Sequence, residues 1–264
     1  MITPETYAQY KRDGYIALPE FLSPSELDYL KERYTDVYEK QNAEGKTHNV
    51  VAVASGSTTM QNLQIHYMGL LDDGILAFWY SQKLLDAVQE IIGPDISLFF
   101  EQGFWKPPLH GAPTDWHQDN AYFELEPASA GVGFWLALDA ATRDNGCMWV
   151  VPGSQNRPVE HTADENTDHL LHAVVEDADT LPIELPAGGA MLFDFATLHT
   201  TKANTTNTNR RALAMHFNRT SAPSRRPMWS ERRIQERPVL RGEGSTGGVR
   251  EFGREIAGEW ERLT

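Results

Sequence analysis

His117 and Asp119 place an imidazole and a carboxylate two residues apart, in the run Asp115-Trp116-His117-Gln118-Asp119-Asn120. On an extended strand, side chains i and i+2 share a face, so this pair can close on one cation. A His-x-Asp pair is common by chance and needs a third ligand. His199 is the best placed of the histidines, because the apolar run Gly189-Ala190-Met191-Leu192-Phe193-Asp194-Phe195 leads up to it and leaves it at the polar end. Two imidazoles and one carboxylate on one face of a metal leave three positions open, which is the ligand set of non-haem Fe(II) oxygenases. Asp115 also stands two residues from His117, so spacing alone leaves two candidate carboxylates. Cys147 is the single cysteine; it can form neither an internal disulfide nor a thiolate cluster.

Eleven residues beyond His199, Arg210-Arg211 opens an apolar run that reads as a returning strand, reached through the turn-rich Asn204-Thr205-Thr206-Asn207-Thr208-Asn209. A guanidinium on that strand can enter the cavity that holds the metal, where it needs an anionic partner and suits a carboxylate bidentately. Arg210 and Arg211 face opposite ways, so only one of them can do this.

These residues must be positioned by the elements around them. Thr3-Pro4-Glu5 and Ser23-Pro24-Ser25-Glu26 are helix starts, and Phe78 to Ile92 reads as a helix stopped by Gly93-Pro94. Tyr15 to Phe21 is a short apolar run, and residues 42–60 read as a loop or lid. From Ile96 onward, short apolar runs at Ser97–Trp105, Gly131–Leu138, Cys147–Val151, Gly189–Phe195 and Arg211–Asn218 alternate with Gly/Pro/Asn breaks. Many short strands without alternating helices predict an antiparallel sandwich or barrel, mainly β with flanking helices. A single domain over 1–264 is expected: a helical part at about 1–93, a β core at about 94–220 and an Arg-rich extension at about 221–264.

The chain has 23 basic and 37 acidic side chains, a net of −14. A negative field excludes non-specific binding to nucleic acid or to an anionic membrane. The longest nearly uncharged apolar stretch, around Gly131 to Leu138, is far short of the roughly 20 residues that span a bilayer. The start shows no basic region followed by an apolar stretch, so a cytoplasmic protein is the expectation. Residues 219–264 differ in carrying ten Arg and seven Glu. This tail could pack on the acidic body, meet a partner subunit in a homo-oligomer, help to bind an anion, or remain a solvated helix and loop.

His117-Gln118-Asp119, His199 and Arg210 together resemble the phytanoyl-CoA dioxygenase (PhyH-like) family of Fe(II)/2-oxoglutarate-dependent oxygenases. Lys106-Pro107-Pro108, Asn145-Gly146-Cys147, Pro152-Gly153-Ser154 and the run from His199 to Ala212, with Asn204, extend the likeness over roughly residues 5–220. The resemblance implies a double-stranded β-helix (jelly-roll, cupin-like) core, with His117, Asp119 and His199 as iron ligands, since the family sets its carboxylate after the His. It implies that Arg210 anchors the distal carboxylate of the co-substrate 2-oxoglutarate, with Thr201, Trp135 and, more loosely, Gln102, Asn62 and Gln64 in contact. It implies Fe(II), 2-oxoglutarate and O2 as cofactor and co-substrates, with hydroxylation of a C–H bond and release of succinate and carbon dioxide. Asp at position 119 argues against the related halogenases, whose site holds a small residue there.

Trp116, Tyr122, Phe123, Phe104 and Trp105 cluster around the metal motif in sequence, and half of them should face the cavity. His66, Asn120, Tyr122 and Trp116 are candidate substrate contacts; His216 reads as a core or pocket residue. A small-molecule substrate is expected, since an acidic body disfavours a polyanionic CoA thioester. Two other classes compete with this reading. One is a catalytically silent jelly-roll that binds a metal or small molecule; the other is a metal-dependent hydrolase or isomerase, which gives no reason for an inward arginine.

Overall fold

The computed structural model describes residues 2–49, 61–157, 159–163, 171–175 and 179–264. Helix α1 (Pro4–Asp13) starts at a reciprocal cap, in which the Thr3 hydroxyl accepts from the Thr6 N–H and the Thr6 hydroxyl accepts from the Thr3 N–H. It ends at Gly14, with φ +82°. A side chain at Gly14 would collide with Gln155 and Thr197, and Thr197 Oγ1 donates to the Gly14 carbonyl. The end of the first helix is thereby tied to the loop that precedes His199. Helices α2 (Pro24–Ala43), α3 (Asp73–Trp79) and α4 (Gln82–Ile92) follow, capped at Ser23 by Glu26 and at Asp72 by its own carboxylate, and stopped at Gly93.

Fourteen strands lie among the described residues: β1 (Tyr15–Leu18), β2 (His48–Asn49), β3 (Leu63–His66), β4 (Ile96–Lys106), β5 (Thr114–His117), β6 (Gly131–Ala137), β7 (Met148–Val150), β8 (Thr162–Ala163), β9 (Leu171–His172), β10 (Leu181–Ile183), β11 (Ala190–Asp194), β12 (His199–Thr201), β13 (Arg210–Arg219) and β14 (Val239–Arg241). The larger antiparallel sheet runs β1-β11-β6-β13-β4-β3-β2, with β14 added on β4; the smaller runs β10-β7-β12-β5. The two sheets make a jelly-roll flanked by helices.

The central strands are apolar on both faces because each face is covered. Phe134, Leu136, Leu192, Leu213, Met215 and Phe217 pack on the helices with Leu30, Tyr34, Phe78, Trp79 and Val88. Their alternates Trp135, Ala137, Met191, Phe193, Ala212 and Ala214 pack between the sheets with Met148, Val150 and Ile183. The period-2 alternation decides which side chains reach the cavity.

One expectation about organisation changes, and among the alternatives open for the tail the structure shows packing on the body. The stretch 1–93 is not only helical, since it contributes β1, β2 and β3 to the larger sheet. The Arg-rich tail is not a solvated appendage. It adds β14 to the end of β4, buries Ile256 and Trp260, and places Arg226 on Glu124, Arg241 on Asp86 and Arg254 on Asp73. Of the expected loop or lid at 42–60, α2 runs on through Ala43 and His48–Asn49 pairs with β3. Residues 50–60 lie outside the described residues.

Candidate active site

His117 ends β5 and faces His199 directly across the β5–β12 pair. Asp119 is not on the strand. Gln118 is still extended, and Asp119 is the first residue of a five-residue helix, α5 (Asp119–Phe123). The carboxylate is therefore carried to the histidines by a helix start, which the Asn120 N–H fixes by donating to the Phe195 carbonyl at 2.9 Å. One ligand atom from each of His117, Asp119 and His199 falls within 4.8 Å of the others. Asp119 Oδ1 is 3.6 Å from the Nε2 of both histidines.

The tautomer of each imidazole follows from its other nitrogen. His117 Nδ1 lies 2.8 Å from the Asp115 carbonyl and His199 Nδ1 lies 3.0 Å from the Thr197 carbonyl. A carbonyl can only accept, so Nδ1 carries a proton in each ring and Nε2 is the atom left to ligate a cation. Desolvation opposes the charge on the buried Asp119, but His216, His199 and His117 outweigh it and hold the carboxyl well below the usual carboxylate range. Two imidazole Nε2 atoms and one ionised carboxylate oxygen, converging within 4.8 Å, fit a divalent transition metal.

Arg210 points into the same cavity and Arg211 points out of it. Arg211 is clamped on Asp139 at 2.8 Å through both Nε and Nη2, donates to Thr35 at 3.0 Å, and stacks over Trp105. Arg210 is 1% exposed, sits 5.5 Å above the Trp135 ring, and leaves Nε and Nη1 without a hydrogen-bond partner. Burial pulls its guanidinium down to about 10. No carboxylate among the described residues lies within ion-pair distance of it. A guanidinium with two unpartnered nitrogens beside the His117–Asp119–His199 cluster fits the carboxylate of a bound dicarboxylic acid.

The cavity is about 70 Å³ and is lined by Gln102, Phe104, Thr114, His117, Asp119, Trp135, Met148, Phe193, His199, Thr201, Arg210, Ala214 and His216. Thr201 shares its face with His199, and its hydroxyl is 2.8 Å from that of Thr114. Thr114 was not singled out by sequence, though it stands three residues before His117. Lys106 was quoted only as part of a motif. It is fully buried, donates to the Lys202 carbonyl at 2.6 Å, and is held well below the usual lysine range by burial, with Arg210 adding to the shift. Asn204 donates to the Lys106, Pro107 and Thr208 carbonyls, which buckles the β12–β13 connection so that Arg210 enters at its register.

The candidate substrate contacts divide. His66 is exposed, edge-on to Phe100 at 4.9 Å, and is not among the residues that line the cavity. Asn120 uses both amide atoms on the Leu125 backbone, so it secures the turn after α5 and does not present its amide to a ligand. The Tyr122 hydroxyl bonds the Leu171 N–H and carbonyl, and its ring meets His117 edge-on at 5.9 Å. Trp116 lies outside the cavity, packed with Val151, Ala173 and Leu198 on the outer face, because it alternates with the inward His117. Phe104 lines the cavity, whereas Trp105 packs against Tyr38 under the helices and Phe123 against Phe99 and Phe195. His161 was missed: its Nε2 accepts the Gln118 N–H at 3.1 Å, between the two ligands of the His-x-Asp pair.

The family model described as phytanoyl-CoA dioxygenase matches residues 10–212. The chain is 28% identical over 227 residues to a 2-aminoethylphosphonate dioxygenase from the uncultured bacterium HF130_AEPn_1, covering 85% of this chain and 84% of that protein. It is 27% identical over 240 residues to a probable phytanoyl-CoA dioxygenase of Caenorhabditis elegans, covering 82% of this chain and 75% of that one. In fold it is similar to the non-haem alpha-ketoglutarate-dependent carbocyclase SnoK from nogalamycin biosynthesis, with TM-score 0.70, 21% identity, and coverage of 84% of this chain and 86% of that one.

Proposed function

The chain belongs to the phytanoyl-CoA dioxygenase family, and from that premise we propose that it hydroxylates a C–H bond of a small-molecule substrate, with 2-oxoglutarate decarboxylated to succinate and carbon dioxide. It is a non-haem iron- and 2-oxoglutarate-dependent dioxygenase. Bound iron, with 2-oxoglutarate and O2, supplies the oxidising chemistry.

The reading rests on one observation: the His117–Asp119–His199 cluster and the orphaned guanidinium of Arg210 line the same buried cavity. His117 and His199 would hold the metal through Nε2 and Asp119 through Oδ1. Arg210 would take the distal carboxylate of 2-oxoglutarate, steadied from below by the Trp135 face, and the Thr201 and Thr114 hydroxyls and the Gln102 amide are within the same wall. Phe104, Met148, Phe193 and Ala214 exclude water around these groups. The exposed His66, beside Phe100, would meet the substrate. Relatives named as dioxygenases weigh against a catalytically silent module, and an inward Arg210 weighs against a hydrolase.

The test is succinate formation by purified enzyme with Fe(II), 2-oxoglutarate and a panel of amino acids, phosphonates and other small metabolites. Turnover should require O2 and be stimulated by the true substrate. Arg210→Ala should raise the KM for 2-oxoglutarate at least about 100-fold, as expected for loss of a buried charged contact, while iron still binds. Arg211→Ala should leave that KM within a few-fold of the parent. The reverse ranking, or O2-independent turnover, refutes the assignment.

A further inference from the structure

Asp119 divides its two oxygens between two environments. Oδ1 faces the His117 and His199 Nε2 atoms, and Oδ2 faces a third imidazole, with His216 Nε2 at 3.2 Å. His216 comes from β13, the strand of Arg210, lines the same cavity, and approaches Asp119 through the oxygen that does not face His117 and His199. Its Nδ1 is buried without a partner, so Asp119 is the polar group the ring engages among the described residues.

The ring is fixed by its surroundings. Phe100 stacks on it at 5.9 Å and 28°, Phe123 meets it edge-on at 5.2 Å, and Phe195 closes the third side at 5.9 Å. The backbone contributes as well. His216 pairs with Phe100 but Phe217 pairs with Leu98, so the β4–β13 ladder carries a bulge opposite this step. A bulge re-aims the adjoining side chains, and here Phe99, the extra residue, packs on Phe123 and Phe195, two walls of the same aromatic box.

We propose that His216 is a positioning residue for the iron carboxylate: its Nε2–H holds Asp119 Oδ2, so that Asp119 offers the metal Oδ1 alone and keeps a coordination position open. As it stands Oδ2 makes no hydrogen bond, because the ring N–H at 3.2 Å is off line, and the proposal requires the carboxylate to turn toward the ring when a cation binds. Outer-shell donors of this kind set the orientation of a ligand, and their loss lowers metal affinity. The proposal rests on Asp119 being a ligand, and the experiment separates the two claims.

Co(II) is titrated anaerobically into the metal-free protein, reading affinity and the visible d–d spectrum, for the parent and for His216→Gln, His216→Met and Asp119→Ala. Gln and Met have similar length and flexibility, but only Gln carries a donor that can reach Oδ2. His216→Met should bind Co(II) about 10–100-fold more weakly with an altered d–d spectrum, and His216→Gln should stay within a few-fold of the parent. Thermal melts check that the variants fold; the Gln/Met comparison survives if both are equally destabilised. Equal affinities and spectra for Gln, Met and parent overturn the positioning role, as does equal weakening in Gln and Met. If Asp119→Ala binds Co(II) like the parent, the ligand set itself falls and the proposal with it.

Discussion

Glu101 is fully buried on the helix-facing side of β4, with no cation among the described residues within ion-pair distance. Its Oε2 accepts the Gly69 N–H at 3.3 Å, Oε1 has no partner, and burial pushes its carboxyl up to about 8. The unfolded chain releases this proton near the ordinary carboxylate value, whereas the folded chain keeps it. Between those two values the folded state binds more protons, so this group's contribution to stability falls as pH rises from about 4.5 to about 8. Glu101→Gln stays neutral and retains an acceptor for Gly69. Its urea midpoint should exceed the parent's by an amount that grows across that window, to a difference on the order of 2–5 kcal/mol at pH 8. A difference that does not change between pH 5 and pH 8 would contradict this. At the residue scale, His117, Asp119 and His199 were legible because two of them are close in sequence and the third ends an apolar run. Arg210 and Arg211 were not separable by pattern alone. Their parity is set by Asp139 and Thr35, which meet Arg211 from remote segments. Lys106, Thr114 and His161 were hidden for the same reason, each meeting partners far away in the chain; His216 is the core or pocket residue expected, but its contact with Asp119 carries no signal in the sequence.

At the scale of elements, caps and long apolar runs were legible because their signals are local. Some elements of three to five residues were not, although β1, β7 and β11 fall within apolar runs that the sequence shows. β12, β14 and α5 are too short to show a period, and α5 carries Asp119 where a strand was expected. The tail was read correctly as different in charge, but its charge is not what fixes it. Trp260 is 2% exposed, lies 4.9 Å from Phe78 and 5.9 Å from Tyr29, and aims its Nε1 at Glu26 3.4 Å away. The ion pairs of Arg241 and Arg254 involve Asp86 and Asp73, both well exposed. Trp260→Ala should therefore cost about 3–5 kcal/mol, while Arg241→Ala or Arg254→Ala costs less than about 1 kcal/mol each. Denaturant midpoints rank them. If the arginine variants lose more than Trp260→Ala, electrostatics and not burial holds the tail to the body.

For the whole molecule, an acidic chain keeps two unpaired cations beside its cavity. The chain carries a net −14, yet two cations, Lys106 and Arg210, are buried together near the cavity, and the described residues supply no carboxylate to pair with either. An uncompensated buried charge lowers the stability of the fold that contains it, so the cavity is a place where stability is given up for ligand recognition. Two outcomes are expected together. Arg210→Met, similar in length and apolar, should stabilise the metal-free protein by about 1–3 kcal/mol, by removing a desolvated cation. In the parent, 2-oxoglutarate added with Co(II) at about 100 times its Kd should contribute about 2.7 kcal/mol, which raises Tm by about 5–10 °C for a chain of this size. In Arg210→Met that increment should vanish, although Co(II) alone still raises Tm through His117, Asp119 and His199. Differential scanning calorimetry on the two proteins, each metal-free, with Co(II), and with Co(II) plus 2-oxoglutarate, measures all of these terms. A metal-free Arg210→Met that melts below the parent would mean that the guanidinium is already compensated, and the cavity would then have no need of an anion.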